Sequence, residues 1–265
     1  MIEEEKEFAR PSAARSFSLV LPCLNEKDSL PETLDRCNAL YMALESWNLE
    51  VIIVDDGSTD GTSELLKEAL DGRPWLRLIT HSTNLGYGAA LRTGFQAAGG
   101  MIVGYTDADN QFDITEFSNA LPLIESVDLV AGFRVYRFDP LARLVVSWVY
   151  NRLVRILFRV PVRDVDCSFK LMRRDKLDRL VLMCDDFFID TEIVARARKW
   201  NWRIVEVGVR HYPRKAGKTT VRPSDVSRTL RRIGQMWFAI HYPKRSQHAE
   251  LAEKQERARR IARGS

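Results

Sequence analysis

Residues 51–62 read VIIVDDGSTDGT. Four β-branched apolar residues run without a polar break into Asp55 and Asp56, then into a turn carrying Gly57 and Gly61. The next stretch, GTSELLKEAL, has the spacing of a helix. An antiparallel strand with one wet face alternates apolar and polar residues, whereas a continuous apolar run belongs to a parallel strand buried on both faces. The same unit recurs on either side. FSLVLP (17–22) precedes the helical pattern DSLPETLDRCNALYMALESW, with Asp28 or Ser29 as its cap and Pro31 in its first turn. LRLIT (76–80) precedes GYGAALRTGFQAA, MIVGYTDAD (101–109) precedes helical ITEFSNALPLI, and DLVAGFR (128–134) is a fifth strand. Strand and helix in alternation predict an α/β fold, a mostly parallel sheet covered by helices on both faces. Ligands of such sheets bind beyond the carboxyl ends of the strands. The pairs Asp55-Asp56 and Asp107-Asp109 both fall there.

After Arg134 the rhythm changes. LARLVVSWVYNRLVRILFRV (141–160) is helical with interspersed Arg, CSFKLMRR reads as a strand, DTEIVARARKW as a helix and RIVEVGVRHYP as a strand. PSDVSRTLRRIGQMWFAI is an amphipathic basic helix, and AEKQERARRIARGS a charged helix or tail. The expected division is a polar N-terminus over 1–15, a catalytic domain over 16–221 and a basic helical extension over 222–265.

At 45% hydrophobic and 29% charged residues over 265 positions, the chain has the composition of a globular domain large enough to fold without disulfides or structural metal. Cys23, Cys37, Cys167 and Cys184 form no CxxC pair and fit no zinc spacing. No leader-like apolar segment and no run of about 18 apolar residues is visible, so a reducing, cytoplasmic location is expected. From Arg210 onward there are 15 Lys/Arg against 4 Asp/Glu, while the preceding chain carries 25 basic and 32 acidic residues. A basic end on an acidic body points to an anionic partner or to a solvated helical face.

Three motifs carry chemistry. DDGSTDGT can hydrogen-bond a ribose and base edge, or can simply cap a helix, since Ser, Thr and Asp are the usual caps. In DAD, Asp107 and Asp109 stand two residues apart at a strand end with Gln111 beyond them. Hard divalent cations take oxygen ligands, and Mg²⁺ is usually held by one or two carboxylates plus substrate phosphates. GYGAALRTG superficially resembles a dinucleotide fingerprint, but its third glycine falls three positions late and the unit is not the first βα step, which argues against a dehydrogenase.

Taken in order, LPCLNE, VIIVDDGSTDGT, NLGYGAALRTGF, YTDADNQ, AGFR and DVDCSFK resemble glycosyltransferase family 2, in particular its polyprenyl-phosphate branch typified by dolichyl-phosphate mannose and glucose synthases. The resemblance covers roughly residues 17–220. It implies a nucleotide-binding domain of the GT-A type. The implied reaction is inverting transfer of a hexose from a donor of the GDP-mannose or UDP-glucose type to a dolichyl or undecaprenyl monophosphate, with Mg²⁺ or Mn²⁺. It further implies that Pro22, Asn25, Glu26, Asp55, Asp56 and Gly86 line the nucleotide pocket, and that Asp107, Asp109 and Gln111 hold the metal with the donor diphosphate.

For the acceptor, a hydroxyl generally needs a base to take its proton, whereas a phosphate oxygen is already anionic and needs only to be held. Arg134 could hold it. Arg143 and Ser147, four apart, share a helical face that Asn151 continues, and the resemblance likens this to the acceptor-phosphate site of the lipid branch. Arg214, Lys218 and Thr219 resemble a later loop that closes over both sets of phosphates, and Arg suits forked phosphate contacts. With a soluble hydroxyl acceptor instead, Asp190 or Glu192 would supply the base. The sequence departs from the family pattern in three ways: Ser168 stands where Gly is usual, Thr220 stands where Lys closes the loop, and no membrane-spanning helices follow. Residues 141–160 and 226–240 mix apolar, aromatic and Arg residues. Such helices either lie at a membrane surface or pack on the domain, on each other or across a homodimer. A non-catalytic binding module is disfavoured by the intact acid clusters, and no nucleic-acid reader motif is visible.

Overall fold

The computed structural model describes residues 15–136, 141–213 and 223–242, with backbone alone for 141–143 and 223–228. Seven strands form one sheet: β1 (Ser16–Cys23), β2 (Asn48–Asp55), β3 (Leu76–Thr80), β4 (Ile102–Tyr105), β5 (Leu129–Arg134), β6 (Lys170–Arg173) and β7 (Ile204–Val209), in the spatial order β3-β2-β1-β4-β6-β5-β7. The helices are α1 (Leu30–Ala43), α2 (Thr62–Ala69), α3 (Tyr87–Ala97), α4 (Phe117–Ala120), α5 (Leu141–Phe158), α6 (Arg174–Leu177), α7 (Ile189–Lys199) and α8 (Pro223–His241). Short 3₁₀ turns flank α4 at Ile114–Glu116 and Leu121–Glu125.

The expectation of apolar runs buried on both faces holds residue by residue in β1 and, after Asn48, in β2, while β3 at the sheet edge is only partly buried. Leu19, Leu21, Val51 and Ile53 point into one core with Leu30, Leu34 and Leu40 of α1, Leu66 of α2 and Phe117 of α4. Val20, Ile52 and Val54 point to the opposite core, with Leu91 and Phe95 of α3, Val154 of α5, Ile193 of α7 and Ile233 and Met236 of α8. Side chains alternate across a strand, so one continuous apolar run feeds two helical layers. Burying each such Leu, Ile or Val contributes about 1.5–3 kcal/mol.

β1, β2, β3 and β4 are mutually parallel in the expected way. β6 is the exception, running antiparallel to both β4 and β5, while β5 and β7 are parallel to each other. The reversal positions the site. Tyr105 at the carboxyl end of β4 pairs with Lys170 at the start of β6, so the residues that lead into β6 arrive beside the acids that follow β4.

The helical extension is not detached. Ile233, Met236 and Ile240 of α8 are buried in the core beside α5 and α7, while Leu230 and Phe238 face outward. α5 likewise buries Val154 and Phe158 and exposes Val145, Val149, Ile156 and Trp148, the last at 68%. Among the described residues no helix is long and apolar enough to cross a membrane.

Candidate functional site

The ends of β1, β2 and β4 bring three acidic or polar turns together. After β1, Asn25 adopts a left-handed backbone (φ 54°) and bridges to the turn after β2. Its N–H donates to Ser58 Oγ (2.9 Å), and its Oδ1 accepts from Thr59 N (2.8 Å). Asn tolerates this conformation because its short amide can bond locally. Glu26 N donates to Thr62 Oγ1 at 3.0 Å. Ser29 does occupy the cap position of α1, but its hydroxyl donates to the Glu26 carboxylate (2.5 Å) instead of accepting from the helix. Pro22 lies inside β1, paired in register with Val54.

Asp55 and Asp56 are buried and occupied. Asp55 accepts from Ser58 N (3.0 Å) and from the Ser63 hydroxyl. Asp56 accepts from Leu85 N (2.9 Å) and Gly86 N (2.8 Å), and pairs with His81 Nδ1 at 2.7 Å, whose Nε2 meets Thr93 Oγ1 at 3.0 Å. In this arrangement they shape two turns at the strand ends, Asp55 holding residues 58–63 and Asp56 holding 81–86. Gly86 has φ 102°, and a Cβ there would sit 2.3 Å from the Asp185 carbonyl oxygen, so the strand-to-helix turn needs glycine on both counts.

The Asp107-Asp109 turn is fastened from below. Asn110, also left-handed (φ 61°), donates through Nδ2 to Ser29 O at 2.7 Å, and Thr33 Oγ1 donates to Ala108 O at 2.8 Å. Asp107 Oδ1 accepts from Tyr87 Oη (2.8 Å) and Oδ2 from Ser168 Oγ (2.7 Å). Burial, and next the charge of Asp109, push the Asp107 carboxyl up to about 7, while the bond from Ser168 acts the other way. Asp109 accepts from Gln111 N at 3.1 Å, and the Gln111 amide reaches the Tyr212 carbonyl at 3.4 Å. The donor set is two carboxylates and an amide oxygen, which suits a hard divalent cation. Among the described residues no three His, Cys, Asp or Glu converge to hold an ion alone, and an ion held by few carboxylates usually keeps waters or substrate phosphates as its other ligands.

On the far side, Arg134 is clasped by Asp164, Nε and one terminal nitrogen each at 2.6 Å, with both side chains only 9% exposed. Burial opposes the guanidinium charge, but the pairing with Asp164 more than offsets it and raises its pKa. Asn151 donates to Ser147 O (2.9 Å) and Oγ (3.3 Å) and accepts from Val165 N (2.7 Å), tying α5 to the loop before β6. The side chain of Arg143, and all of Arg214, Lys218 and Thr219, lie outside the described residues. Both alternative bases are committed to buried partners. Asp190 Oδ1 accepts from Tyr105 Oη (2.5 Å) and from Lys170 Nζ (2.9 Å). Glu192 takes Arg196 Nε (2.8 Å) on one oxygen and the N–H groups of Met183 (2.8 Å) and Cys184 (2.9 Å) on the other.

The family profile described as Glycosyl transferase family 2 matches residues 18–181, which contain every one of these turns. The chain belongs to that family. It is a glycosyltransferase. The dodecaprenyl-phosphate galacturonate synthase of Rhizobium johnstonii is 30% identical over 244 residues, 90% of this chain and 71% of that protein. The undecaprenyl-phosphate 4-deoxy-4-formamido-L-arabinose transferase of Aeromonas hydrophila is 33% identical over 205 residues, 76% of this chain and 61% of that protein. Among solved structures, glucosyl-3-phosphoglycerate synthase from Mycobacterium tuberculosis in complex with Mn²⁺, uridine diphosphate and glucosyl-3-phosphoglycerate superposes with a TM-score of 0.65 at 20% identity, over 86% of this chain and 80% of that one. The likeness establishes a GT-A-like fold.

Four site residues of this glycosyltransferase escape sequence reasoning. Tyr87 and Ser168 touch Asp107 but lie 20 and 61 positions from it. Lys170 is wholly buried against Asp190. Asp166 has a buried Oδ1 with no hydrogen-bond partner among the described residues. Burial, then the charge of Asp164, push its carboxyl up to about 7. Traces of all four are visible in the sequence: Tyr87 stands in NLGYGAALRTGF and the other three in DVDCSFK, where Ser168 replaces the usual glycine.

Proposed function

We propose that the protein transfers a hexose, with inversion, from a nucleoside-diphosphate sugar to a polyprenyl monophosphate. The observation that carries the acceptor assignment is the state of Asp190 and Glu192. Each is locked in a buried ion pair, so neither is placed to take a proton from a hydroxyl, and an acceptor whose oxygen is already anionic needs no such base. The names of the two bacterial relatives support the same reading. Neither relative's sugar is carried over, and a donor of the GDP-mannose or UDP-glucose type remains the expectation.

Asp107, Asp109 and Gln111 would hold Mg²⁺ or Mn²⁺ beside the donor diphosphate. The ion's contribution is to neutralise charge on the leaving nucleoside diphosphate. Asn25, Glu26, Gly86 and the turns shaped by Asp55 and Asp56 border the nucleotide. Arg134 is held by Asp164 close to the entry to β6, and Arg143, Ser147, Arg214, Lys218 and Thr219 complete the cationic and hydroxyl groups assigned to the phosphates. An acceptor phosphate oxygen attacks the anomeric carbon from the face opposite the diphosphate; the bond to the diphosphate oxygen breaks, the sugar becomes a phosphodiester of the lipid, and the nucleoside diphosphate leaves.

The outward faces of α5 and α8 suit the surface of a membrane that carries such a lipid. Val145, Val149, Ile156, Trp148 and Phe238 are exposed beside Arg152 and Arg155, and apolar-plus-cationic faces of this kind sit at anionic interfaces. These faces support the reading of an enzyme that works peripherally, on the cytoplasmic face of a membrane.

The test is nucleotide release. Protein, Mn²⁺, a panel of UDP- and GDP-sugars and a short polyprenyl phosphate in detergent or anionic vesicles are incubated together. Release that depends on the lipid phosphate and is lost in Asp109→Ala is expected, and it names the donor. Donor binding without lipid-dependent release would overturn the acceptor assignment. A hydroxyl acceptor would then draw its base from Asp166, whose unpartnered oxygen favours that second reading, and Asp166→Asn would abolish turnover. With a phosphate acceptor, Asp166→Asn stays active.

A further inference from the structure

Asp107 is held by two hydroxyls that come from different parts of the chain. Tyr87 is the first residue of α3, and its Oη donates to Oδ1 at 2.8 Å. Ser168 lies two residues before β6, and its Oγ donates to Oδ2 at 2.7 Å. Burial raises the Tyr87 phenol far above its ordinary range, so it stays a neutral donor. Ser168 is buried, and the chain on both sides of it is tied down. The carbonyl of Phe169 accepts from Gly132 N at 2.7 Å, the carbonyl of Cys167 accepts from Lys170 Nζ, and Lys170 is itself registered against Tyr105. The serine hydroxyl is therefore presented to Asp107 by a fixed backbone, not by a mobile loop. A glycine at this position, usual in the resembling family, has no side chain with which to donate.

We infer that Ser168 is a positioning residue for the divalent-cation site, acting through the carboxylate of Asp107; this rests on the reading that Asp107 and Asp109 hold the cation. A carboxylate oxygen has two lone-pair directions. With one on Oδ2 taken by Ser168 and one on Oδ1 by Tyr87, the carboxylate loses its freedom to rotate, and its remaining lone pairs keep a single direction. Hydrogen bonds to a ligating carboxylate fix its orientation, and removing them typically costs 10–100-fold in metal affinity.

The test is direct Mn²⁺ titration of the full chain, followed by electron paramagnetic resonance, with Mn²⁺ alone and with Mn²⁺ plus UDP or GDP. Ser168→Ala and Ser168→Gly should weaken Mn²⁺ binding by roughly 10-fold, and Ser168→Thr, which keeps the hydroxyl, should restore it. Tyr87→Phe should weaken it to a similar degree. In turnover, the Mn²⁺ concentration for half-maximal rate should rise in Ser168→Ala while the KM for donor at saturating metal stays near wild type, a split that a general loss of folding does not produce. Thermal midpoints identify any variant that fails to fold; Ser168→Gly, which introduces nothing new into the space, then serves as the reference. Mn²⁺ affinity in Ser168→Ala and Ser168→Gly within about twofold of wild type, with binding still abolished by Asp109→Ala, would overturn the role of Ser168 alone. Absence of Mn²⁺ binding in the wild-type protein, with or without nucleotide, would overturn the cation site and this inference together.

Discussion

Asp190→Asn separates an acid that holds the fold from an acid that does chemistry. Lys170 is fully buried, and its ammonium donates to Asp190 Oδ1 (2.9 Å) and to the carbonyls of Val165 (3.1 Å) and Cys167. The Asp190 side chain is only 6% exposed. Replacing it with Asn keeps an oxygen for Lys170 and Tyr105 but leaves a buried cation without its counter-charge. Breaking a buried pair in this way costs about 3–5 kcal/mol. Each kcal/mol moves the midpoint of a domain this large by about 2–4 °C, so a fall of about 6–20 °C is expected. Lys170→Met on top of Asp190→Asn removes the stranded charge and should recover much of the loss, with a coupling of at least ~2 kcal/mol between the two positions. The assay is a thermal melt by circular dichroism for the four proteins of the cycle, paired with turnover measured well below each midpoint. Turnover of Asp190→Asn on lipid phosphate should remain within about tenfold of wild type once the protein is folded. A positioned base contributes about 10²–10⁴-fold. An Asp190→Asn protein that melts within ~2 °C of wild type, binds donor normally and turns over at least ~100-fold more slowly would refute the structural reading and make Asp190 the base.

Two further outcomes follow from the same geometry. A Cβ at Gly88 would stand 2.3 Å from the Cys184 carbonyl oxygen and 2.9 Å from that of Asp186; Gly88→Ala should cost about 1–3 kcal/mol by melting, and it should weaken Mn²⁺ binding, because α3 carries Tyr87. Asp166 has a folded-state carboxyl near 7 against an unfolded value near 3.8. The native state therefore binds the extra proton between those values, and the contribution of Asp166 to stability falls as pH rises from about 4 to about 7. Asp166→Asn should gain stability relative to wild type across that window and hold the gain above it, and parallel melts of the two proteins from pH 4 to 8 that show no such divergence would contradict the burial of an unpaired acid.

The strands of the first half were legible because each is a short apolar run closed by an acid or a turn, and two faces of helices follow from that pattern alone. The antiparallel direction of β6 was not. A four-residue strand such as Lys170–Arg173 carries no directional signal, and its placement between β4 and β5 is decided by a return path through α5. That reversal also hid the most informative contact, since nothing local in DVDCSFK says that Ser168 will meet Asp107. Asp55 and Asp56 illustrate a different limit. Their position at a strand end was readable, but acids at such a place can contact a ligand or fasten the loops that do, and only the partners at Ser58, Ser63, His81, Leu85 and Gly86 distinguish the two. Arg134 was read as a phosphate ligand from AGFR; its pairing with Asp164, 30 residues on, is a tertiary fact.

Charge at the centre of the site bears on the order of binding. Asp107, Asp109, Asp164, Asp166 and Asp190 sit close enough to influence one another's ionisation, and among the described residues the cations that answer them there are Arg134 and Lys170. Lys170 is spent on Asp190 and Arg134 on Asp164. The end of β4 is thus rich in acid, Asp107 and Asp109 standing half-buried where charge interactions are screened less than in water. A nucleoside diphosphate approaching that surface alone meets like charge. One that arrives already paired with a divalent cation presents the opposite charge to Asp107 and Asp109. On the proposed function, the acid excess beside β4 would favour a metal-bound donor. The lipid phosphate, a second anion, would instead need cationic groups such as the arginines that α5 carries. The surplus of acid and the surplus of base in the sequence would thus be divided between the two substrates.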